Sequence, residues 1–258
     1  MTEPAPAVIR STANPQFKAL RLLAHDSTAW RRQGRAWLEG DHLCRAALAR
    51  GVAPQLAVYA ESCDPLQRLP APRSLVLADP LFAALSSLES PARMGFVLEL
   101  PPAPVFDSAA ATVVLDRVQD AGNVGAILRS AAAFGFRQVV ALKGSASLWS
   151  PKVLRAGMGA HFGLKLFDAA APSLVEGLSV PLLATSSHEG ELLHRATLPW
   201  PCGWVFGHEG QGVSPELAAR AVVHVRIAQP GGEESLNVAA AAAICLHASA
   251  ATAADAGA

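Results

Sequence analysis

The chain has 258 residues, of which 51% are hydrophobic and 16% are charged, and its formal net charge at pH 7 is zero. This composition supplies enough apolar side chains for packed cores and excludes a disordered or fibrous protein. No apolar run reaches about 18 residues without polar breaks, and the N-terminus lacks a signal-peptide pattern. We therefore expect a soluble, cytoplasmic protein without a membrane span.

The four cysteines, Cys44, Cys63, Cys202 and Cys245, are scattered along the chain. None belongs to a C-x-x-C pair, and no histidine stands beside them at metal-ligand spacing, so the sequence predicts neither a disulfide framework nor a zinc site. We expect free, buried thiols and no bound metal.

The front of the chain, residues 14–50, predicts a helix, a basic turn, a short strand and a second helix. In the first helix, Phe17, Leu20 and Leu23 are spaced to share one face. Further strands are predicted at 55–60, 74–78 and 95–100, with a helix at 79–87. This alternation favours a small α/β module.

Three arginines, Arg31, Arg32 and Arg35, stand beside Trp30 and Trp37 in the predicted turn. The zero net charge argues mildly against a nucleic-acid partner, but residues 17–50 hold seven Lys or Arg against three Asp or Glu. One interpretation is an RNA-contacting edge, since guanidinium groups bind phosphates and aromatic rings stack on bases. The other is a solvated charged loop beside two core indoles.

A Pro- and Ala-rich stretch at 101–111 predicts a linker, which divides the chain into residues 1–106 and 107–258. Beyond it, strands are predicted at 111–118, 138–142, 181–184 and around Trp204 and Val222. Helices are predicted at 123–134 and from Ser150-Pro151 onward. Strands alternate with helices, so we expect a mostly parallel sheet covered on both faces.

Three stretches of this second domain place glycines and polar residues between a strand and a helix. They are N-x-G-x-x-x-R at 123–129, G-x-E-G-x-G at 207–212 and S-L-N at 235–237. Such loops leave backbone N–H and C=O groups free to bind a polar small molecule. Neither an early G-x-G-x-x-G nor a G-x-x-x-x-G-K-[ST] stretch is present, which argues against NAD enzymes and P-loop NTPases.

Over roughly residues 107–250, these three motifs, in this order, resemble the signature motifs of the SpoU (TrmH) family of the SPOUT superfamily. The resemblance implies an S-adenosyl-L-methionine-dependent methyltransferase that modifies a ribose 2′-hydroxyl in rRNA or tRNA and acts as a homodimer. It implies an α/β catalytic domain at 107–258 that contains a deep trefoil knot. The R-R-x-G-x-x-W-L-E-G stretch at 31–40 resembles, more loosely, the small ribosomal-protein-like domain that binds substrate RNA in such enzymes.

The resemblance also assigns roles to single residues. Arg129 matches the catalytic arginine, which would orient a substrate phosphate and support the developing alkoxide. The other residues implied for catalysis are Asn123, Glu209, Ser235 and Asn237. Those implied for cofactor binding are Gly207, Ile227, Leu236, Thr185 and Gln229. His208 departs from the Asn common in relatives, and Ala228-Gln229 departs from Pro-Met.

Other interpretations remain open at this stage. The protein could be a catalytically silent SPOUT-fold RNA-binding or ribosome-assembly factor, or an enzyme that methylates a base nitrogen. Arg129 could form a salt bridge with Asp116 or Glu209, and Asn123 could be only a helix cap. Glu209 could be a turn residue. Ser235 and Asn237 could likewise be helix caps.

Overall fold

A computed structural model of the chain describes residues 7–86, 90–186, 189–231 and 235–255. Its contacts divide the chain into two compact units. Unit 1 consists of Met1–Pro102 and Trp149–Phe162, and unit 2 consists of Ala103–Leu148 and Gly163–Ala258.

These units differ from the predicted division after residue 106. Unit 2 begins at Ala103, and the segment Trp149–Phe162 belongs to unit 1. The reason is packing, because Leu154 is fully buried in a core cluster of unit 1 and Phe162 packs against the same cluster. The local pattern of an apolar helix does not indicate which core it joins.

Unit 1 contains a five-stranded mixed sheet in the order β1-β4-β3-β5-β2. Strand β5 runs antiparallel to both β2 and β3, while β1, β3 and β4 are parallel to one another. The strands are β1 (Val8–Ile9), β2 (Arg35–Glu39), β3 (Leu56–Ala60), β4 (Ser74–Leu77) and β5 (Met94–Glu99). The helices of this part are α1 (Pro15–His25), α2 (Ala29–Gln33), α3 (Asp41–Ala49) and α4 (Asp79–Ala83), with a 3₁₀ turn at Pro65–Gln67.

The two faces of this sheet support two hydrophobic clusters. Successive side chains of a strand point to opposite faces, so Trp37 of β2 joins the cluster beside α1, while Leu38 joins the one beside α3. Phe17, Leu20 and Leu23 are buried on one face of α1, as their spacing predicts. Helix α1 therefore covers one face of the sheet.

The predicted basic turn is wrong, because residues 29–33 form the short helix α2. The helix ends at Gly34, whose φ of 62° is the left-handed conformation that commonly terminates helices. The residues R-R-Q-G therefore form the end of α2, and strand β2 follows directly at Arg35.

Unit 2 contains a seven-stranded parallel sheet in the order β10-β12-β9-β11-β6-β7-β8. The predicted α/β fold with a mostly parallel sheet is confirmed. The strands are β6 (Thr112–Asp116), β7 (Gln138–Leu142), β8 (Lys165–Ala170), β9 (Leu182–Thr185), β10 (Glu191–Leu192), β11 (Gly203–Gly207) and β12 (Val223–Arg226). The helices of unit 2 are α5 (Ala121–Ala133), α7 (Pro172–Glu176), α8 (Pro215–Ala218) and α9 (Val238–Asp255). Helix α6 (Pro151–Gly157) and most of the 3₁₀ turn at Ala160–Gly163 belong to unit 1.

The central strands β6, β7 and β11 are buried along their whole length, as expected for a parallel sheet covered on both faces. No helix in the described part of the chain has the length and hydropathy needed to span a bilayer. All four cysteines are free and buried, as predicted.

Helix α9 packs against α5 and against β11. The contact with β11 includes a fully buried hydrogen bond, in which the Trp204 indole N–H donates to the Ser249 hydroxyl oxygen at 2.9 Å. Because neither group is exposed to water, the Trp204 N–H depends on Ser249 for its acceptor, while the Ser249 oxygen also accepts from the Cys202 thiol at 3.8 Å.

We expect Ser249→Ala to lower the free energy of unfolding by about 1–3 kcal/mol, because the buried Trp204 N–H would lose its acceptor. The matched control is Thr252→Ala, which removes an exposed hydroxyl from the same helix and should change stability by less than about 0.7 kcal/mol. Urea unfolding followed by circular dichroism measures both values. Equal losses for the two variants would contradict this account.

Candidate active site

The candidate site lies in unit 2, where the carboxyl ends of neighbouring parallel strands bring their following loops together. Strands β12, β9, β11 and β6 are adjacent in the sheet, and the three motifs follow β6, β11 and β12. A cleft of about 620 Å³ is formed there, within the range of roughly 300–1,000 Å³ of small-molecule pockets. Its lining includes Thr185, Gly207, Glu209, Ile227, Gln229, Ser235 and Leu236.

One wall of the cleft is the glycine loop, residues 208–212. Two backbone hydrogen bonds close it, from His208 N–H to the Gly212 oxygen at 3.0 Å and from Gly212 N–H to the His208 oxygen at 2.8 Å. The backbones approach so closely that a Cβ on Gly207 would lie 2.1 Å from the Gly212 carbonyl carbon. The loop also requires Gly212 in the left-handed region, with φ of 69°.

The three motifs are joined by side-chain hydrogen bonds. The Asn237 amide donates to the Asn123 Oδ1 atom at 2.9 Å, across 114 residues of sequence. The Asn123 amide donates in turn to the Glu209 Oε1 atom at 3.1 Å, across 86 residues. Two amides and one carboxylate thus connect motifs that the sequence places far apart.

Glu209 is also held by the backbone that precedes α5. Its carboxylate accepts from the Asp120 N–H at 3.0 Å and from the Gln119 N–H at 3.2 Å. Partial burial by itself would raise the pKa of Glu209, but the hydrogen bonds from Asp120, Asn123 and Gln119 outweigh it and lower the pKa to about 2. Glu209 is therefore an ionised acceptor rather than a proton-accepting base near neutral pH.

The start of α5 differs from the prediction. Its cap is Asp120, whose Oδ1 atom accepts from the Asn123 N–H at 2.8 Å, so the helix begins at Ala121 and not at Asn123. The interpretation of Asn123 as only a helix cap is therefore wrong, and its side chain is available to join the other two motifs. Asn237 does cap a helix, because its Oδ1 atom accepts from the Ala239 N–H at 2.9 Å.

Arg129 is exposed on α5 and is not among the residues that line the cleft. Within the described part of the chain it makes no ion pair. The carboxylate of Asp116 pairs with Arg117 at 3.0 Å, and Glu209 accepts from amide groups. The structure therefore brings Asn123, Glu209 and Asn237 together and leaves the Arg129 side chain open to solvent.

Sequence reasoning missed several polar residues of this site. Asp120 caps α5, and Glu189 and His224 line the cleft. Asp120 could have been found, since it stands three residues before Asn123 at the usual capping spacing. Glu189 and His224 could not, because no local motif marks them, and His224 reaches the cleft only through the pairing of β12 with β9.

The predicted RNA-contacting arginines lie in unit 1. The Arg31 guanidinium lies 5.2 Å from the centroid of the Trp30 ring. Arg32 pairs with Asp26 at 2.7 Å, and hydrogen bonds from Thr28, with that pairing, lower the pKa of Asp26 to about 2. Arg35 is partly buried at the start of β2.

This fold and site define a class: a parallel α/β protein in which a glycine loop lines a small-molecule cleft and is joined by hydrogen bonds to two Asn-containing motifs. The chain belongs to the SpoU rRNA Methylase family, whose family model matches residues 110–247. The fold class expected from the resemblance is thus confirmed as an α/β fold with a mostly parallel sheet.

Relatives of known activity match nearly the whole chain. The 23S rRNA (guanosine(2553)-2′-O)-methyltransferase RlmP of Bacillus subtilis is 28% identical over 243 residues, which cover 93% of this chain and 97% of RlmP. A crystal structure of an RNA 2′-O ribose methyltransferase superimposes with a TM-score of 0.80 at 28% identity and covers 94% of this chain and 98% of that one.

The SpoU methyltransferase AviRb of Streptomyces viridochromogenes, solved in complex with the cofactor AdoMet, shares the fold. The TM-score is 0.80 at 22% identity, and the match covers 94% of this chain and 100% of AviRb.

We expect the contribution of Glu209 to stability to depend on pH. Its pKa in the folded chain, about 2, lies below the ordinary value of 4.5, so the ionised form favours folding. This contribution is fully present above about pH 4.5 and is lost as the pH falls towards 2. Glu209→Gln should therefore unfold at lower urea than the wild type at pH 7, and the difference should shrink between pH 4.5 and 2.

The control for loss of one carboxylate is Glu191→Gln, at an exposed position of β10. It should not reproduce the deficit of Glu209→Gln at pH 7, since Glu191 is not part of the hydrogen-bonded chain of the three motifs. A deficit of Glu209→Gln that stays constant from pH 7 to pH 2 would contradict the assignment of a lowered pKa.

Proposed function

We propose that this protein is an S-adenosyl-L-methionine-dependent RNA methyltransferase that methylates a ribose 2′-hydroxyl in rRNA or tRNA. The observation that carries the proposal is the hydrogen-bonded chain Asn237–Asn123–Glu209, which joins the three family motifs beside a cleft of cofactor size. Membership of a methylase family favours this function over a catalytically silent RNA-binding factor.

The charge of the cleft supports the cofactor assignment. The described residues that line it include the carboxylates Glu189 and Glu209 and no Lys or Arg. A phosphate-containing cofactor needs cationic or N–H partners, whereas the sulfonium and ammonium groups of S-adenosyl-L-methionine are attracted to carboxylates. The cleft therefore suits a cationic cofactor better than a dinucleotide.

The residues proposed for cofactor binding all line the cleft: Gly207, Ile227, Leu236, Thr185 and Gln229. Ile227 and Leu236 offer apolar surface for a planar base. The close backbone approach at Gly207 leaves main-chain groups of the glycine loop beside the ligand. Thr185, at the carboxyl end of β9, and Gln229 supply polar atoms.

The bound cofactor supplies a methyl group on a sulfonium, and the residues of the chain orient the hydroxyl that receives it. We assign to Arg129 the contact with a substrate phosphate and with the developing alkoxide. A guanidinium is not deprotonated in proteins, so the substrate phosphate itself is the candidate proton acceptor. Exposure of Arg129 suits contact with a macromolecule rather than with a buried cofactor.

The remaining motif residues are assigned to orientation. Asn123, fixed between Glu209 and Asn237, holds the ribose or the Arg129 side chain in place. Ser235 lines the cleft and is exposed, so its hydroxyl is available to the cofactor or the substrate. Methyl transfer of this kind needs no metal.

We assign substrate-RNA binding to the front of the chain, residues 1–106, as a ribosomal-protein-like domain. Arg31, Arg32 and Arg35 are its candidate RNA contacts. Arg31 is exposed and lies over the half-buried Trp30, an arrangement that offers both a cation and an aromatic ring to RNA. The predicted division into 1–106 and 107–258 remains a functional proposal.

Three further features follow from the family resemblance. Strand β12 lies between β9 and β10 although it follows both in sequence, an order that supports a chain threaded through a trefoil knot in residues 107–258.

The face of α9 that exposes Ile244, at 41%, is our candidate for a homodimer interface. We propose a cytoplasmic location, where rRNA and tRNA are substrates.

The function predicts a change in cellular RNA. Total rRNA and tRNA from cells with and without this gene, digested to nucleosides and analysed by mass spectrometry, should differ in one 2′-O-methylnucleoside. Ribose-methylation mapping then locates the nucleotide. Loss of a base-methylated nucleoside instead would overturn the ribose assignment, and unchanged methylation of all RNA would overturn the function.

Arg129→Ala should lower the single-turnover rate by roughly 100-fold or more while leaving the cofactor Kd within about threefold, because Arg129 lies outside the cleft. Calorimetry with S-adenosylhomocysteine measures the affinity. Arg137→Ala, another exposed arginine of unit 2, is the control for loss of charge and should retain the rate. A large loss of cofactor affinity in Arg129→Ala would contradict the role assigned here.

A further inference from the structure

Arg117, directly after β6, has a left-handed backbone with φ of 61°. A bulky residue with a side chain is disfavoured in this region, which glycine adopts freely. Such strain persists only where the surrounding structure holds it, and it tends to occur at functional sites. The contacts of the Arg117 side chain show what holds it.

The guanidinium of Arg117 makes two hydrogen bonds in different directions. Its Nε atom donates to the Asp116 Oδ1 atom at 3.0 Å, and its Nη1 atom donates to the Gln211 Oε1 atom at 3.1 Å. Asp116 is buried, with 3% exposed, and its other oxygen accepts from the Ser214 N–H at 2.6 Å. Arg117 therefore holds the glycine loop at Gln211, and Asp116 holds the chain just beyond the loop at Ser214.

Together with the contacts of Glu209, these hydrogen bonds fix the chain at three points between residues 209 and 214, which we call the anchors. Residues 209, 211 and 214 are each hydrogen-bonded to the segment 116–123 that precedes and begins α5. The residues between the anchors are Gly210, Gly212 and Val213, and two glycines provide little stiffness of their own. Since Gln211 and both glycines line the cleft, the anchors determine the position of one cleft wall.

We propose that Arg117 is a positioning residue of the cofactor site. Its left-handed backbone directs the guanidinium to Asp116 and Gln211, and these contacts hold the glycine loop in the position that binds the cofactor. Arg117 thereby controls cofactor affinity rather than the methyl-transfer step. The identity of the cofactor rests on the proposed function, whereas the anchoring of the loop does not.

The central variant is Arg117→Gly in the full-length protein, because glycine removes the anchor and also relieves the left-handed strain. Hydrogen exchange of the amides at 208–214 should become roughly tenfold faster or more, since the loop opens locally. The urea unfolding midpoint should fall only slightly, because relief of the left-handed strain offsets the loss of a partner for the buried Asp116 carboxylate. A fall in the midpoint as large as that of a core substitution would show a general structural role and would overturn the proposal.

Binding and kinetics provide the second readout. Arg117→Gly should weaken binding of S-adenosylhomocysteine roughly tenfold and raise the cofactor KM by a similar factor, with kcat at saturating cofactor nearly unchanged. Arg117→Lys keeps the positive charge but loses the planar set of N–H donors that a guanidinium provides. Its cofactor affinity and KM should lie between those of the wild type and of Arg117→Gly. An unchanged KM, or an equal loss in kcat, would overturn the proposal.

Gln211→Ala and the double variant test the specific contact. The two substitutions should not be additive in exchange rate or in affinity, because both remove the same hydrogen bond. Arg220→Ala, an exposed arginine just after α8 and outside the cleft, is the control for loss of positive charge and should leave both readouts unchanged.

The two proposals fail in different ways. If the wild type does not bind S-adenosylhomocysteine, the proposed function fails. Hydrogen exchange of the backbone amides at 208–214 still tests whether Arg117 holds the loop. If the wild type binds and Arg117→Gly binds equally well with unchanged exchange, the positioning role of Arg117 is wrong and the proposed function stands.

Discussion

The hydrogen-bonded chain from Asn237 through Asn123 to Glu209 is the interaction on which the site depends. An amide both donates and accepts, so Asn123 connects an ionised carboxylate on one side to a second amide on the other. Backbone N–H groups before α5 fix the Glu209 carboxylate, and the carboxylate in turn orients the Asn123 and Asn237 side chains. Motifs that follow three different strands are thus joined by hydrogen bonds, because the carboxyl ends of parallel strands lie at the same edge of the sheet.

The distribution of charge separates two tasks. The cleft carries Glu189 and Glu209 among its described lining residues and no cationic side chain there, which suits a positively charged cofactor. An anionic RNA needs the opposite, and the arginines proposed to contact it lie elsewhere: Arg129 is exposed on α5, and Arg31 is exposed in unit 1. On this proposal, cofactor and substrate RNA are attracted to different surfaces by opposite charges.

Local patterns predicted much of the fold and part of the site. The buried strand β7 lies at the predicted residues, and α6 begins at Pro151 after a Ser150 cap, as predicted. At α5 the predicted start was wrong by two residues, because Asp120 rather than Asn123 caps the helix. Strand β10 was missed because two residues carry no periodicity.

The sequence by itself determined the alternation of strands and helices and the three motifs, because hydrophobic periodicity and glycine spacing act over a few residues. Only the tertiary structure decided that residues 149–162 pack into unit 1 and that Asp116 accepts from Ser214 across 98 residues. It also decided the left-handed backbone of Arg117. These features depend on strand order and on partners distant in sequence, and no local pattern records which distant groups a fold will bring into contact.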